Sequence, residues 1–328
     1  MDRRLFLLAG SALLAAPLSR AQKTYRIGWL SSGVRPARAN VSYDAFMQRM
    51  GELGYVEGRT LLMEQRYGDA SAELVAQRAA ELVRLRVDLI LATTTLATSA
   101  ASKATSTIPI VMGSAANPLA AGLVSNLSRP GGNITGMTLD TADTTAKRLE
   151  LLKTAIPAVR RVAALHPAEI RGFASVADWL RETESAAARL GVAFVPVDLP
   201  QRERHRWEEI LGKVAADGIG AATVFETPTY LANRDTLAEL CLKHRIAAVF
   251  PFREQAEAGG LMAYGADIAD LYRQAAETAD KILKGAKPGD IPVQQPTRFN
   301  LVVNLNTAKA LGLAIPPAVL LRATSVIP

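Results

Sequence analysis

Serine and threonine gather at three points of the chain where they could bind an anion: Ser31-Ser32-Gly33, Thr93-Thr94-Thr95, and Gly113-Ser114 running on to Asn117. Each group follows a short apolar run: YRIGWL (25–30), VDLILA (87–92) and IPIVM (108–112). Hydroxyls and backbone amides at such points suit a carboxylate, because the helix that follows offers free N–H groups and a partial positive charge at its start. The same side chains also serve simply as helix caps. For any one of them the two readings balance, whereas three such loops on one sheet edge favour a site. Further along, Glu226 follows Val224-Phe225 at the end of another apolar run, where it could pair with a ligand ammonium or hydroxyl. His166 stands at a similar point and could donate to a ligand or simply end a strand. Phe252 and Tyr264 could stack on a ligand or belong to the core, and Thr138 on ITGMTL (134–139) completes the candidates.

Catalytic signatures are missing around these residues. The chain has no G-x-S-x-G elbow, no H-E-x-x-H, no dinucleotide fingerprint and no phosphate loop, since GWLSSG (28–33) runs on to Val34 instead of Lys. The three histidines, His166, His205 and His244, are too far apart for a local metal motif. The single cysteine, Cys241, excludes a disulfide framework within the chain and a cysteine-based metal cluster. We therefore expect no metal, no cofactor and no enzymatic activity.

The elements that position these residues follow from periodicity. The 328 residues are 49% hydrophobic and 21% charged, which gives an ordered chain of two domains or one large one. Residues 25–30 read as a strand, and Tyr43, Phe46, Met50 and Leu53 recur at helical spacing after it. Residues 61–65 read as a second strand, with Val75, Ala79 and Leu82 marking a second helix. VDLILA, apolar except at Asp88, suits a strand covered on both faces of a parallel sheet. Thr93-Thr94-Thr95 opens a third helix, residues 108–112 form a fourth strand, and Asn117-Pro118 starts another helix. The rhythm breaks around Arg129 to Leu139, where a crossing between lobes is placed. It then restarts with strands at 161–165, 193–197, 221–225 and 247–250, giving the same α/β architecture a second time. Strands at 261–265 and 299–305, a helix at 268–283 and a Pro/Gly-rich connector at 285–295 make the chain recross more than once, the topology of a two-lobed clamshell.

Residues 1–21 carry a basic start, an apolar run from Leu5 to Leu18 and small residues before Gln22, and read as a secretory signal peptide. Arg3-Arg4-Leu5-Phe6-Leu7 also resembles the twin-arginine export signal. No cysteine stands near the cleavage point to accept a lipid, so we expect a freely diffusing periplasmic protein. Lys and Arg number 38 against 31 Asp and Glu, net +7. The excess is interleaved with acids, as in Arg202 to Arg206 followed by Glu208-Glu209, which reads as solvated surface instead of a nucleic-acid stripe.

Ordered blocks along the whole mature chain resemble a known family. They are GELGYVEG (51–58), STIPIVMG (106–113), RPGGNITG (129–136), RLELL (148–152), FPFREQAEAGGLMAYG (250–265), KGAKPGD (284–290), PVQQPTR (292–298) and NTAKALG (306–312). Together they are similar to the ABC-transporter substrate-binding protein family that includes tryptophan-binding, TrpX-like proteins. The resemblance implies a type I periplasmic-binding-protein clamshell, two doubly wound parallel-sheet lobes joined by three hinge crossings. We expect lobe 1 at residues 22–139 plus 266–297 and lobe 2 at 140–265 plus 298–328. Similar members that bind aromatic amino acids hold the ammonium with an acid at the strand end matching Glu226. This chain departs from the pattern by having Phe225-Glu226-Thr227 where many relatives have Asp after Pro, and His166-Pro167-Ala168 where Asn-Pro-Asn is common.

The expected function is thus capture of a small polar or carboxylated ligand between the lobes, an amino acid with aromatic ones favoured by the resemblance. Delivery to an inner-membrane ABC permease would follow, with the protein a monomer and no nucleic acid involved. A ligand-sensing receptor for a chemoreceptor or sensor kinase would use the same clamshell and is the second reading.

Overall fold

The computed structural model describes residues 23–36, 40–139 and 141–328; the expected leader at 1–21 lies outside them. The first half contains β1 (Tyr25–Ser31), α1 (Val41–Glu52), β2 (Leu61–Tyr67), α2 (Ala72–Arg84), β3 (Leu89–Ala92), α3 (Thr95–Ala104), β4 (Ile110–Ala116) and β5 (Ile134–Leu139). These strands form one parallel sheet in the order β2-β1-β3-β4-β5. The all-apolar β3 shows why it sits in the middle: Leu89 and Leu91 enter the core on one face, Ile90 and Ala92 the core on the other. Side-chain oxygens of Asn40, Ser71 and Thr94 cap α1, α2 and α3, so each helix begins where its first orphan N–H groups find an acceptor.

The helix expected after Asn117 does not form. Asn117 adopts a left-handed φ of 40° and Gly122 one of 66°, so the chain makes a turn capped by Asn117 Oδ1 and then stops. The chain stays in the first sheet through β5, which pairs with β4 from Ile134 to Leu139, and leaves it after Leu139.

The second half contains α4 (Thr141–Ala155), β6 (Arg161–His166), α5 (Ala174–Arg189), β7 (Ala193–Asp198), α6 (Trp207–Ala216), β8 (Ala221–Val224), α7 (Pro228–Ala232), α8 (Arg234–Lys243), β9 (Ala247–Phe250), α9 (Arg253–Glu257) and β10 (Met262–Ala266). After them come α10 (Ile268–Leu283), β11 (Phe299–Asn304), α11 (Leu305–Leu311), α12 (Pro317–Leu320) and β12 (Ser325–Ile327). The second sheet has the order β12-β11-β10-β9-β8-β6-β7, with β11 antiparallel to β10.

The chain passes between the sheets three times: from β5 to α4, from β10 to α10, and from the connector after α10 to β11. Helix α10 belongs with the first sheet, where its Leu271, Tyr272, Ala275 and Ala279 pack with Trp29, Phe46 and Met50. Burying a side chain such as Phe46 or Leu271 is worth ~1.5–3 kcal/mol, so α10 is firmly attached to the first lobe, although β10 just before it belongs to the second sheet. The connector is stitched to β5 by Thr135 Oγ1 donating to Ile291 O at 2.7 Å and Thr138 N donating to Gln294 O at 2.9 Å. Among the described residues no helix is long and apolar enough to cross a membrane.

Candidate functional site

Because both sheets are parallel over most of their width, the carboxyl ends of β1, β3, β4, β6 and β8 meet across one cleft. The cavity there is lined from the first lobe by Trp29, Ser31, Ser32, Tyr67, Thr93, Thr94, Thr95, Leu96, Ser114 and Leu139, with Ile268 and Tyr272 of α10. The second lobe contributes Ile170, Gln201, Phe225, Glu226, Thr227, Leu231, Arg234 and Phe252. Two hydrogen bonds span the lobes at its rim: Val34 N donates to Thr229 Oγ1 at 3.4 Å and Arg202 Nε to Asp69 O at 3.0 Å. Of the residues singled out from sequence, Ser31, Ser32, Thr93, Thr94, Thr95, Ser114, Glu226 and Phe252 line this cavity.

The other five lie outside it, each for a visible reason. Gly113 leaves room for Tyr272, whose ring would meet an added Cβ at 2.6 Å. Asn117 belongs to the turn after β4 and lines a second hollow. Thr138 is buried, its hydroxyl donating to Ala115 O at 2.8 Å across the β4–β5 irregularity. Tyr264 stacks on Phe299 with ring centroids 6.2 Å apart. His166 is wholly buried under the cleft floor, with Nδ1 3.5 Å from Asp198 Oδ1, and burial pushes its pKa below the usual value against the pull of Asp198.

Most of the hydroxyls in the first lobe are occupied in shaping the loops. Thr94 Oγ1 accepts from Ala97 N at 3.2 Å and donates to Ser32 Oγ at 2.9 Å. Thr95 Oγ1 exchanges bonds with Ala116 N and O, Ser31 Oγ accepts from Gly33 N, and Ser114 Oγ donates to Thr93 O at 2.8 Å. Capping and site-building are thus one activity here, since the bonds that fix the loops also aim the start of α3, Thr95 and Leu96, at the cavity. The Tyr272 hydroxyl approaches Thr93 O at 3.3 Å, and burial pushes its pKa up to about 12, so it remains a phenol donor.

Three buried polar atoms of cavity-lining residues have no partner within the protein: Thr93 Oγ1, Trp29 Nε1 and Glu226 Oε2. Such groups are uncommon in folded proteins because each forfeits its hydration. Glu226 Oε1 is already engaged, lying 2.5 Å from Arg148 Nη1 in a pair whose side chains are 8% and 2% exposed. Arg148 also donates through Nε to Tyr264 O at 2.7 Å. The acid expected to pair with a ligand is therefore already half of an internal ion pair, with one oxygen left over.

Sequence reasoning missed Trp29, Tyr67, Gln201, Phe225 and Arg234. Trp29 was within reach, since it lies two residues before Ser31 on one strand and the period of two puts both on one face. Phe225 and Gln201 also adjoin strand ends, whereas Arg234 at the start of α8 carries no local signal. Among the described residues no group of three His, Cys, Asp or Glu side chains could hold a metal.

Comparison with known proteins identifies the family and the fold. The family model for ABC transporter substrate binding proteins matches residues 35–327. A tyrosine-binding protein of Clostridioides difficile is 24% identical over 277 residues, 82% of this chain and 75% of the relative. A conserved domain protein of Vibrio cholerae shares the fold with a TM-score of 0.81 at 24% identity, covering 93% of this chain and all 100% of that one. A Streptococcus pneumoniae ABC domain crystallised with L-Trp gives 0.80 at 24% identity, with the same 93% and 100% coverage. The architecture is the type I periplasmic-binding-protein clamshell expected from the sequence.

Proposed function

The chain belongs to the ABC transporter substrate-binding protein family, and on that premise we propose that it captures a small aromatic carboxylate between its lobes, an aromatic amino acid first, and presents it in the periplasm to an inner-membrane ABC permease. Proteins of this family bind solutes and are not enzymes. The observation that carries the ligand class is the set of three buried, unpartnered atoms on residues that line one cavity, Thr93 Oγ1, Trp29 Nε1 and Glu226 Oε2. The indole N–H only donates and the hydroxyl can donate, whereas an ionised carboxylate oxygen only accepts. They ask for a ligand with an acceptor toward the first lobe and a donor toward the second. A carboxylate at the start of α3 and an ammonium or hydroxyl at Glu226 meet both demands. Trp29, Tyr67, Phe225 and Phe252 provide the walls for an aromatic ring.

Closure requires no covalent chemistry. A ligand that touches both lobes binds the closed form better and shifts the population toward it. The tyrosine-binding relative and the L-Trp complex support an aromatic amino acid. Surface charge supports the absence of a nucleic-acid partner, because basic groups are paired along their own helices, as in Lys147–Glu150 and Arg253–Glu257. A role in sensing in place of import has no observation of its own in its favour.

The test is a thermal-shift and calorimetric screen of unfolded, ligand-stripped and refolded protein. L-Tryptophan, L-tyrosine and 4-hydroxybenzoate would be set against sugars and polyols. Ligand at about 100 times its Kd should add ~2.7 kcal/mol of stability. Binding of sugars alone would overturn the proposal.

A further inference from the structure

We propose that Glu169 is a positioning residue that couples ligand contact to closure, because one of its carboxylate oxygens holds both a residue of the cavity wall and the residue that bridges the lobes. Glu169 lies on the short loop between β6 and α5, and its Oε1 accepts from the backbone N–H groups of Gln201 and Arg202 at 2.8 Å each. Such charge-assisted bonds to neighbouring amides fix the loop after β7 more firmly than neutral ones would. Gln201 is 3% exposed and lines the cavity. Arg202, the next residue, is exposed and sends Nε across the cleft to Asp69 O at 3.0 Å.

The target of Arg202 is itself fixed to the binding loop of the first lobe. Asp69 and Ala70 have successive left-handed φ values of 50° and 55°, which neither residue adopts readily. They are held there by Ala70 N donating to Ser32 O at 2.8 Å and Asp69 N donating to Gly33 O at 3.1 Å. A continuous path of bonds therefore runs from the Ser32 loop through Asp69, Arg202 and Glu169 to Gln201. Displacing Gln201 displaces Arg202 with it, since both amides hang on one oxygen. The bridge exists only when the lobes meet, so it stabilises the closed form and leaves the open form untouched.

The inference rests on the cleft being one that opens and closes, but not on which ligand it takes, and the experiment keeps the two apart by using ligand-free protein. Dyes attached at Lys103→Cys and Lys213→Cys, with buried Cys241 left in place, would report single-molecule distances between the lobes. Arg202→Ala is expected to shorten the closed dwell time roughly two- to tenfold, the usual range for losing one net hydrogen bond, here an exposed one. Glu169→Gln, which keeps an oxygen acceptor but loses its charge, should shorten it by a smaller factor. The melting midpoint of Arg202→Ala should stay within about 2 °C of the parent, because a single exposed contact is worth little to the fold. Equal dwell times in parent and Arg202→Ala, or no closed excursions in the ligand-free parent, would overturn the coupling. So would a Glu169→Gln variant that closes as the parent does, since Arg202 would then need no positioning.

Discussion

On the first lobe's side of the cleft the polar groups are short and neutral, Ser32, Thr93 and Thr94 at the ends of β1 and β3. On the second lobe's side two are long and charged, Glu226 and Arg234, beside the neutral Gln201 and Thr227. The difference follows from desolvation. A hydroxyl enters a low-dielectric site with one or two hydrogen bonds, which the loops already provide for Ser32 and Thr94. A buried carboxylate instead requires a counter-charge, and Arg148 is that counter-charge for Glu226. A change in the first lobe therefore costs the fold about what a helix cap is worth, while in the second lobe it would strip a buried ion pair.

The sharpest way to break this comparison is at the buried pair. Glu226→Ala leaves Arg148 charged and alone where only 2% of its side chain meets solvent, and the expected loss of stability is about 3–5 kcal/mol, read from urea unfolding. A loss below 1 kcal/mol would show that water reaches the pair and that the two lobes do not differ in kind.

Next in size is Thr94→Ala, which removes the cap of α3 and the bond to Ser32. It should cost ~1 kcal/mol of stability and, by freeing the Ser32 loop, about tenfold in affinity for an aromatic carboxylate, ~1.4 kcal/mol. Calorimetry that finds affinity unchanged would return Thr94 to the role of a plain cap.

A smaller effect concerns His166. Burial holds its folded pKa below the unfolded value, which is ~6.5. The unfolded chain then takes up a proton that the folded chain resists, so stability is present above about pH 6.5 and declines as pH falls through the lower folded value. Asp198 and Arg171 face the ring and act in opposite directions. His166→Gln should flatten this part of the stability profile between pH 7 and 5; an unchanged slope would assign it to carboxylates. The smallest effect is at Cys241, whose thiol burial raises to about 12. It should stay unreactive toward a thiol reagent at pH 8 until the protein unfolds; prompt labelling of the native protein would contradict that burial.

Much of the fold was legible because parallel strands buried on both faces read as continuous apolar runs. VDLILA and AAVF (247–250) are such runs, and the helix at 268–283 was found with its observed limits. What stayed hidden was either very short or set by distant contacts. Helices α7, α9 and α12 have four or five residues and no periodicity to detect. The turn at Asn117 resembles a helix start until Gly122 halts it. In the site, strand-end residues could be found because topology alone brings strand ends together. The pairing of Glu226 with Arg148, 78 positions earlier in the chain, depends on how α4 lies on β9 and β10, which no local pattern encodes.

The most direct test of the division between the lobes is a calorimetric comparison of L-tryptophan with indole-3-propionate, which keeps the ring and the carboxylate but lacks the amine. It would be made in the parent and in Glu226→Gln, a variant that keeps an oxygen beside Arg148. If the first lobe takes the carboxylate and Glu226 the ammonium, the parent should prefer L-tryptophan by at least about tenfold, ~1.4 kcal/mol, and the variant should lose most of that preference. Equal affinities in the parent, or a preference that survives in Glu226→Gln, would contradict it.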